Sequence, residues 1–126
     1  MITTYDREKI TALLKSSGKT GMLHTLESKL TVLSPVESKS APGDLVTMNS
    51  IVVYRDLELD EVHEIRLVYQ LSPLFHNQVS VMAPLGTALL GTRKDRVVIY
   101  EGRDSQYRKI QVEEIKYQPE ASGNME

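Results

Sequence analysis

Apolar positions along this chain follow two different periods. Through the first 34 residues they recur at helical spacing. Ile10, Leu13 and Leu14 stand at i, i+3 and i+4, which predicts a helix over residues 5–15. Thr3 or Thr4 can cap its start, and Asp6 falls in the first turn, where the helix dipole favours an anion. Ser16-Ser-Gly-Lys-Thr-Gly21 reads as a turn by composition. Leu23, Leu26, Leu30 and Leu33 then recur at intervals of 3, 4 and 3 residues, a seam suited to packing antiparallel against the first helix. The expectation is a helical hairpin over residues 1–34, with Ser17, Gly18, Lys19 and Thr20 at its tip. Each arm would be about 17 Å long at about 1.5 Å per residue. The competing reading makes both helices part of a single core.

Residues 35–44 read as a linker: two prolines, a glycine and several serines gather around this stretch. Beyond it, over 45–126, the period changes to two. Val46 to Tyr54 and Val62 to Tyr69 predict strands flanking Arg55-Asp-Leu-Glu-Leu-Asp-Glu61, a hairpin. In the second strand Ile65, Leu67 and Tyr69 face one way, Glu64 and Arg66 the other. Further strands are expected at Arg96 to Tyr100 and Tyr107 to Tyr117, with a flexible C-terminal tail after them. The last strand changes parity, because Ile110 and Val112 are even while Ile115 and Tyr117 are odd. A bulge near Glu113-Glu114 would keep all four on the core face. The fold class is therefore α+β.

One segment compresses a strand, a turn and a helix into thirteen residues, Val79 to Gly91. Val79 and Val81 alternate with Ser80 as in a half-buried strand. Pro84 suits the first turn of a helix, since its φ is fixed and its missing N–H would lack a partner there. Gly91 supplies the left-handed residue that ends the helix. The turn Met82-Ala83-Pro84 is apolar yet held between two elements, which makes it a candidate contact surface together with Leu85. The competing reading tucks Met82 and Leu85 into the core.

Val46-Thr-Met-Asn-Ser50, Ala83-Pro-Leu-Gly-Thr-Ala-Leu-Leu-Gly91 and Ile115-Lys-Tyr-Gln-Pro-Glu120, in this order, resemble the Rnk family (regulator of nucleoside diphosphate kinase). That family is similar in turn to the C-terminal domain of the Gre transcript-cleavage factors. The resemblance covers residues 45–120 closely and the first 34 in outline. It implies an FKBP-like antiparallel sheet with one short helix, carried behind the hairpin, and binding to RNA polymerase near its secondary channel. In Gre factors the turn before the short helix contacts a coiled-coil of the largest subunit at the channel rim. That turn maps onto Met82, Ala83 and Pro84. Where Gre factors often carry Asp and Ser before the proline, this chain has Met82 and Ala83, an apolar contact in place of a polar one. The family also usually places Gly before the Asp that follows the helix. Here Lys94 precedes Asp95, and a positive φ at Lys94 would cost about 1 kcal/mol.

Gre factors deliver carboxylates on a long hairpin tip to hold a catalytic Mg²⁺, a hard cation that needs oxygen ligands. The matching tip, Ser16 to Gly21, has Lys19 as its only charge, and the arms look shorter. The resemblance thus implies a non-catalytic regulator that competes with Gre-type factors without stimulating RNA cleavage. Two rivals remain. One is a protein-binding module that influences nucleoside diphosphate kinase. The other is a peptidyl-prolyl isomerase, which needs an aromatic-lined pocket, whereas this chain has one Phe and no Trp.

Charge and composition narrow the partners. Fifteen Lys and Arg lie among seventeen acids, for a net charge of −2, so phosphate-led nucleic-acid binding is not expected. Without cysteine there is neither disulfide nor thiolate metal site. His24, His63 and His76 lack ligand spacing, and neither phosphate-loop signature occurs. The acidic pairs Asp60-Glu61 and Glu113-Glu114 read as solvated loop and strand face. No metal and no cofactor are expected. The opening residues lack signal-peptide regions and no apolar run spans a membrane, which points to a cytoplasmic protein. A monomer can satisfy the hairpin seam within one chain.

Overall fold

The computed structural model describes residues 1–18 and 24–123. The start of the chain is clipped to the residues that follow its first two helices. Strand β1 (Ile2–Thr3) pairs in parallel with β2 (Pro35–Val36), Ile2 opposite Pro35 and Thr3 opposite Val36. Between them lie α1 (Thr4–Ser16) and α2 (His24–Val32). Thr3 caps α1, its Oγ1 accepting the Asp6 N–H at 3.0 Å. Arg7 Nη2 donates to the Leu33 carbonyl at 2.6 Å. Helix α2 therefore returns to where α1 begins. At about 1.5 Å per residue, α1 spans about 20 Å and α2 about 14 Å. Ser17 and Gly18 of the expected tip are exposed. Lys19 and Thr20 of that tip, and Leu23 of the seam, lie outside the described residues.

A five-stranded sheet follows, in the order β5-β4-β3-β7-β6. Its strands are β3 (Ile51–Asp56), β4 (Glu61–Val68), β5 (Gln78–Ser80), β6 (Val97–Glu101) and β7 (Tyr107–Tyr117). The expected antiparallel sheet is corrected in one place. Strand β5 runs parallel to β4, pairing Arg66 with Gln78 and Val68 with Ser80. The cause is the connection 69–77, which doubles back along β4 instead of turning tightly, so β5 enters in β4's own direction. The expected strand start at Val46 is also too early. Asn49 takes a left-handed φ of 66°, and Val46 bonds sideways, its N–H to the Thr92 carbonyl at 2.8 Å. Pairing begins only at Ile51.

The parity change in β7 is a bulge at Glu113, since Val53 faces Glu114 while Tyr54 faces Val112. That keeps Ile115 against the core with Ile110 and Val112. A second irregularity at Lys116 shifts the parity again. Tyr117 consequently leaves the core face, and its ring lies 5.7 Å from the Arg66 guanidinium. Gln118 goes inside instead, donating to the carbonyls of Pro42 and Leu45 at 2.7 Å each. After β7, Pro119–Ser122 forms a helical turn, α4, that closes at Gly123 with a φ of 77°.

The remaining helix, α3 (Pro84–Leu89), lies across the sheet. One core joins everything: Ile10 and Leu14 of α1 and Leu26 and Leu30 of α2 pack in the same cluster as Val52, Leu67, Leu89 and Val112. Asp6 is buried with them, accepting from the Met48 N–H at 3.1 Å and the Tyr69 hydroxyl at 2.9 Å. After α3 the left-handed position falls on Asp95, with a φ of 71°, and not on Lys94. Aspartate tolerates that conformation better than lysine, which removes the strain expected from the missing glycine.

Candidate functional site

The strand–turn–helix unit is fixed by local rules and by two glycines. Pro84 opens α3 behind Ala83, whose side chain offers no cap. The Thr87 N–H bonds the Ala83 carbonyl at 2.9 Å, and the Thr87 hydroxyl donates to the Val81 carbonyl at 2.7 Å. At Gly86 any Cβ would lie 2.0 Å from the Ser80 carbonyl oxygen, so only glycine lets α3 sit this close to β5. Gly91 ends the helix at a φ of 80°, and a Cβ there would meet the Met1 carbonyl at 2.8 Å.

Met82, Ala83, Pro84 and Leu85 are each partly exposed, neither submerged nor projecting freely. Met82 and Leu85 rest against the core cluster. Met82 and Pro84 also form part of the wall of a groove of about 670 Å³ between α2, α3 and β6. Leu26, Ala88, Val98 and Ile99 add apolar surface beside the rings of Tyr100 and Tyr107, with His24, Lys29 and Glu101 also in the lining. Ala83 and Leu85 lie outside that lining. Ser17 and Gly18, the described residues of the expected tip, are not part of the groove lining either. A concavity of this size and character takes up apolar side chains of a partner; three carboxylates or imidazoles that could share a metal do not gather anywhere among the described residues.

Lys29 is the residue that pattern reading passed over. Its Nζ donates to the carbonyls of Thr87 and Ala88 at 2.6 and 2.8 Å, tying α2 to the end of α3 where the dipole is negative. Burial pushes its amine down to about 8. The signal was available: Lys29 stands three residues after Leu26 and four before Leu33, on the apolar face of its helix. Asp6 hides in the same way, four residues before Ile10. Burial raises its carboxyl above the usual range, opposed by the bonds from Met48 and Tyr69. The two acidic pairs are tied to the scaffold through one side chain, since Arg55 reaches Asp60 at 2.7 Å and Glu113 at 2.8 Å.

Comparison with known proteins places this geometry. Residues 41–117, which contain the groove's α3 and β6 walls, match the family described as transcription elongation factor GreA/GreB, C-terminal. Over 98% of its length the chain is 36% identical to the regulator of nucleoside diphosphate kinase of Escherichia coli strain K12, covering 93% of that protein. The chain belongs to the Rnk family. The same identity and coverage hold for the regulator from Shigella flexneri. Among solved structures, this chain is similar to a prokaryotic transcription elongation factor GreA/GreB from Nitrosomonas europaea. The two superpose with a TM-score of 0.73 at 26% identity, over 93% of this chain and 98% of that one. The resemblance read from the three motifs is thus confirmed, and with it a place among transcription-factor relatives. None of these names is that of an enzyme. None of the described helices is long and apolar enough to cross a membrane.

Proposed function

We propose that this Rnk-family chain is a non-catalytic transcription regulator that binds RNA polymerase at the rim of the secondary channel and competes there with Gre-type factors. The contact is made through Met82, Ala83, Pro84 and Leu85 against a coiled-coil of the largest subunit. The observation that carries the reading is the apolar groove with Met82 and Pro84 in its wall, which offers a rigid, partly exposed surface and no catalytic constellation among the described residues. Kinship with an elongation factor supports polymerase as the partner. The short arms and the absence of carboxylate from Ser16 to Gly21 support docking without RNA cleavage. The reading carries with it a helical arm over 1–34, a linker over 35–44 and an FKBP-like body over 45–126, acting as a cytoplasmic monomer.

Competition tests it directly. Purified core polymerase is loaded with a labelled Gre factor, and the chain is titrated in. Displacement by the wild type and a roughly tenfold weaker effect from Met82→Glu are expected, since a charge forced into an apolar contact costs at least about 1–3 kcal/mol. Failure of the wild type to displace the Gre factor refutes the proposal. The name borne by the Escherichia coli relative, regulator of nucleoside diphosphate kinase, favours one alternative, direct contact with that kinase. A two-protein titration that gives no binding leaves transcription as the route.

A further inference from the structure

A second surface lies on the far side of β4, away from the groove. The connection 69–77 exposes Leu71 at 67%, Leu74 at 82% and Phe75 at 54%, three large apolar side chains within five residues. The segment is not loose. Gln78 accepts from the Ser72 N–H at 2.9 Å and donates to the carbonyls of Ser72 and Phe75 at 2.5 and 2.7 Å. The Leu74 N–H bonds the Ser72 hydroxyl at 3.2 Å. A backbone held by so many bonds presents its apolar side chains to water in a fixed arrangement, which marks a contact surface.

Beside it is a cleft of about 440 Å³, with Arg66, Phe75 and Tyr69 in its walls. The Arg66 guanidinium is held between two rings, 5.3 Å from Phe75 and 5.7 Å from Tyr117. Lys9 lies over the Tyr69 ring at 5.0 Å. Neither cation forms an ion pair among the described residues. The nearby acids are engaged elsewhere. Asp6, behind Tyr69, takes up the Met48 N–H, and Glu64 is paired with Lys116 at 2.7 Å. Among the described residues, the cleft lining contains no carboxylate. An arginine fixed by stacking keeps its donor fork free for a carboxylate, at little further cost in side-chain ordering.

We propose that the 69–77 connection and Arg66 form a second docking point, which receives an apolar protein segment bearing a carboxylate. The carboxylate pairs with Arg66, and the apolar side chains cover Leu71, Leu74 and Phe75. The identity of the partner rests on the polymerase reading above, so the surface is a second foothold on that enzyme.

The test uses the full chain and purified core RNA polymerase, with binding followed by fluorescence anisotropy at two salt concentrations. Leu74→Ser alters an exposed side chain and is expected to leave the fold intact, which circular dichroism checks. Leu74→Ser and Arg66→Gln are each expected to weaken binding at least fivefold, with the salt dependence reduced only by Arg66→Gln. If both variants bind like the wild type while Met82→Glu does not, the second docking point is overturned and the groove reading stands. If the wild type does not bind, both fall. Loss at Leu74 alone overturns the carboxylate's part in the proposal.

Discussion

Replacing Lys29 by methionine removes a charge from the groove wall and keeps most of the side-chain volume. The ammonium's pKa falls from 10.5 to about 8, because burial penalises the charged form. At about 1.4 kcal/mol per unit this is about 3 kcal/mol, or about 2 after allowing for the part that still meets water. At pH 7 both the folded and unfolded chains carry the proton, so the folded state bears the whole penalty. Between about pH 8 and 10.5 the folded chain has lost a proton that the unfolded chain retains, and stability rises with pH. Methionine has no such slope. It also strips the Thr87 carbonyl of a donor, at a cost of about 1–3 kcal/mol, whereas the Ala88 carbonyl keeps the Thr92 hydroxyl at 2.9 Å. At pH 7 the two effects nearly cancel, and Lys29→Met should match the wild type within about 1 kcal/mol. By pH 10 it should be about 2 kcal/mol the less stable of the two. Tyr54, pushed up to about 12 by burial, destabilises both proteins alike above pH 10 and drops out of the difference. Urea unfolding followed by far-ultraviolet circular dichroism at pH 7, 8, 9 and 10 gives that difference. A gap that stays constant across the series refutes the reasoning.

Other substitutions test the scaffold. Gly86→Ala drives a methyl into the Ser80 carbonyl and should cost about 3 kcal/mol, lowering the melting temperature by about 10 °C; an unchanged melt would mean that α3 does not pack this closely on β5. Asp6→Ala leaves the buried Met48 N–H without an acceptor and should cost about 2 kcal/mol, while Asp6→Asn keeps an acceptor and should cost clearly less in the same denaturant titration. Because burial raises the Asp6 pKa, the wild type loses stability as pH climbs from the ordinary carboxylate range through the raised value. Asp6→Asn should flatten that slope, and an identical slope in both proteins would exclude Asp6 as its source.

Much of the body could be read from local pattern. Pro84 and Gly91 bracket α3 because each acts through its own backbone geometry. The bulge at Glu113 announced itself as a change of parity between Val112 and Ile115. What escaped depends on partners distant in sequence. A second shift at Lys116 left no trace in the apolar pattern, because the residue turned inward is Gln118 and the one turned outward is aromatic Tyr117. The direction of β5 is set by a nine-residue connection whose course rests on the Gln78 amide, a contact no periodicity encodes. Val46 and Met48 are buried, yet they belong to no strand, since Asn49 breaks the extended run. For the candidate site, the apolar turn was visible from sequence; the groove was not, because α2 and β6 are brought to it by tertiary packing alone.

The pairing of Ile2 with Pro35 and Thr3 with Val36 fastens the two ends of the helical segment to each other. Outward from Leu14 on one arm and Leu26 on the other, no described residue of the segment is buried. Arm length is therefore a dimension that can vary with its root untouched. Seven residues added to each helix between these limits would carry the tip about 10 Å further at 1.5 Å per residue. A small family scaffold closed at its base in this way can become a longer probe through matched insertions, or a shorter stub through matched deletions.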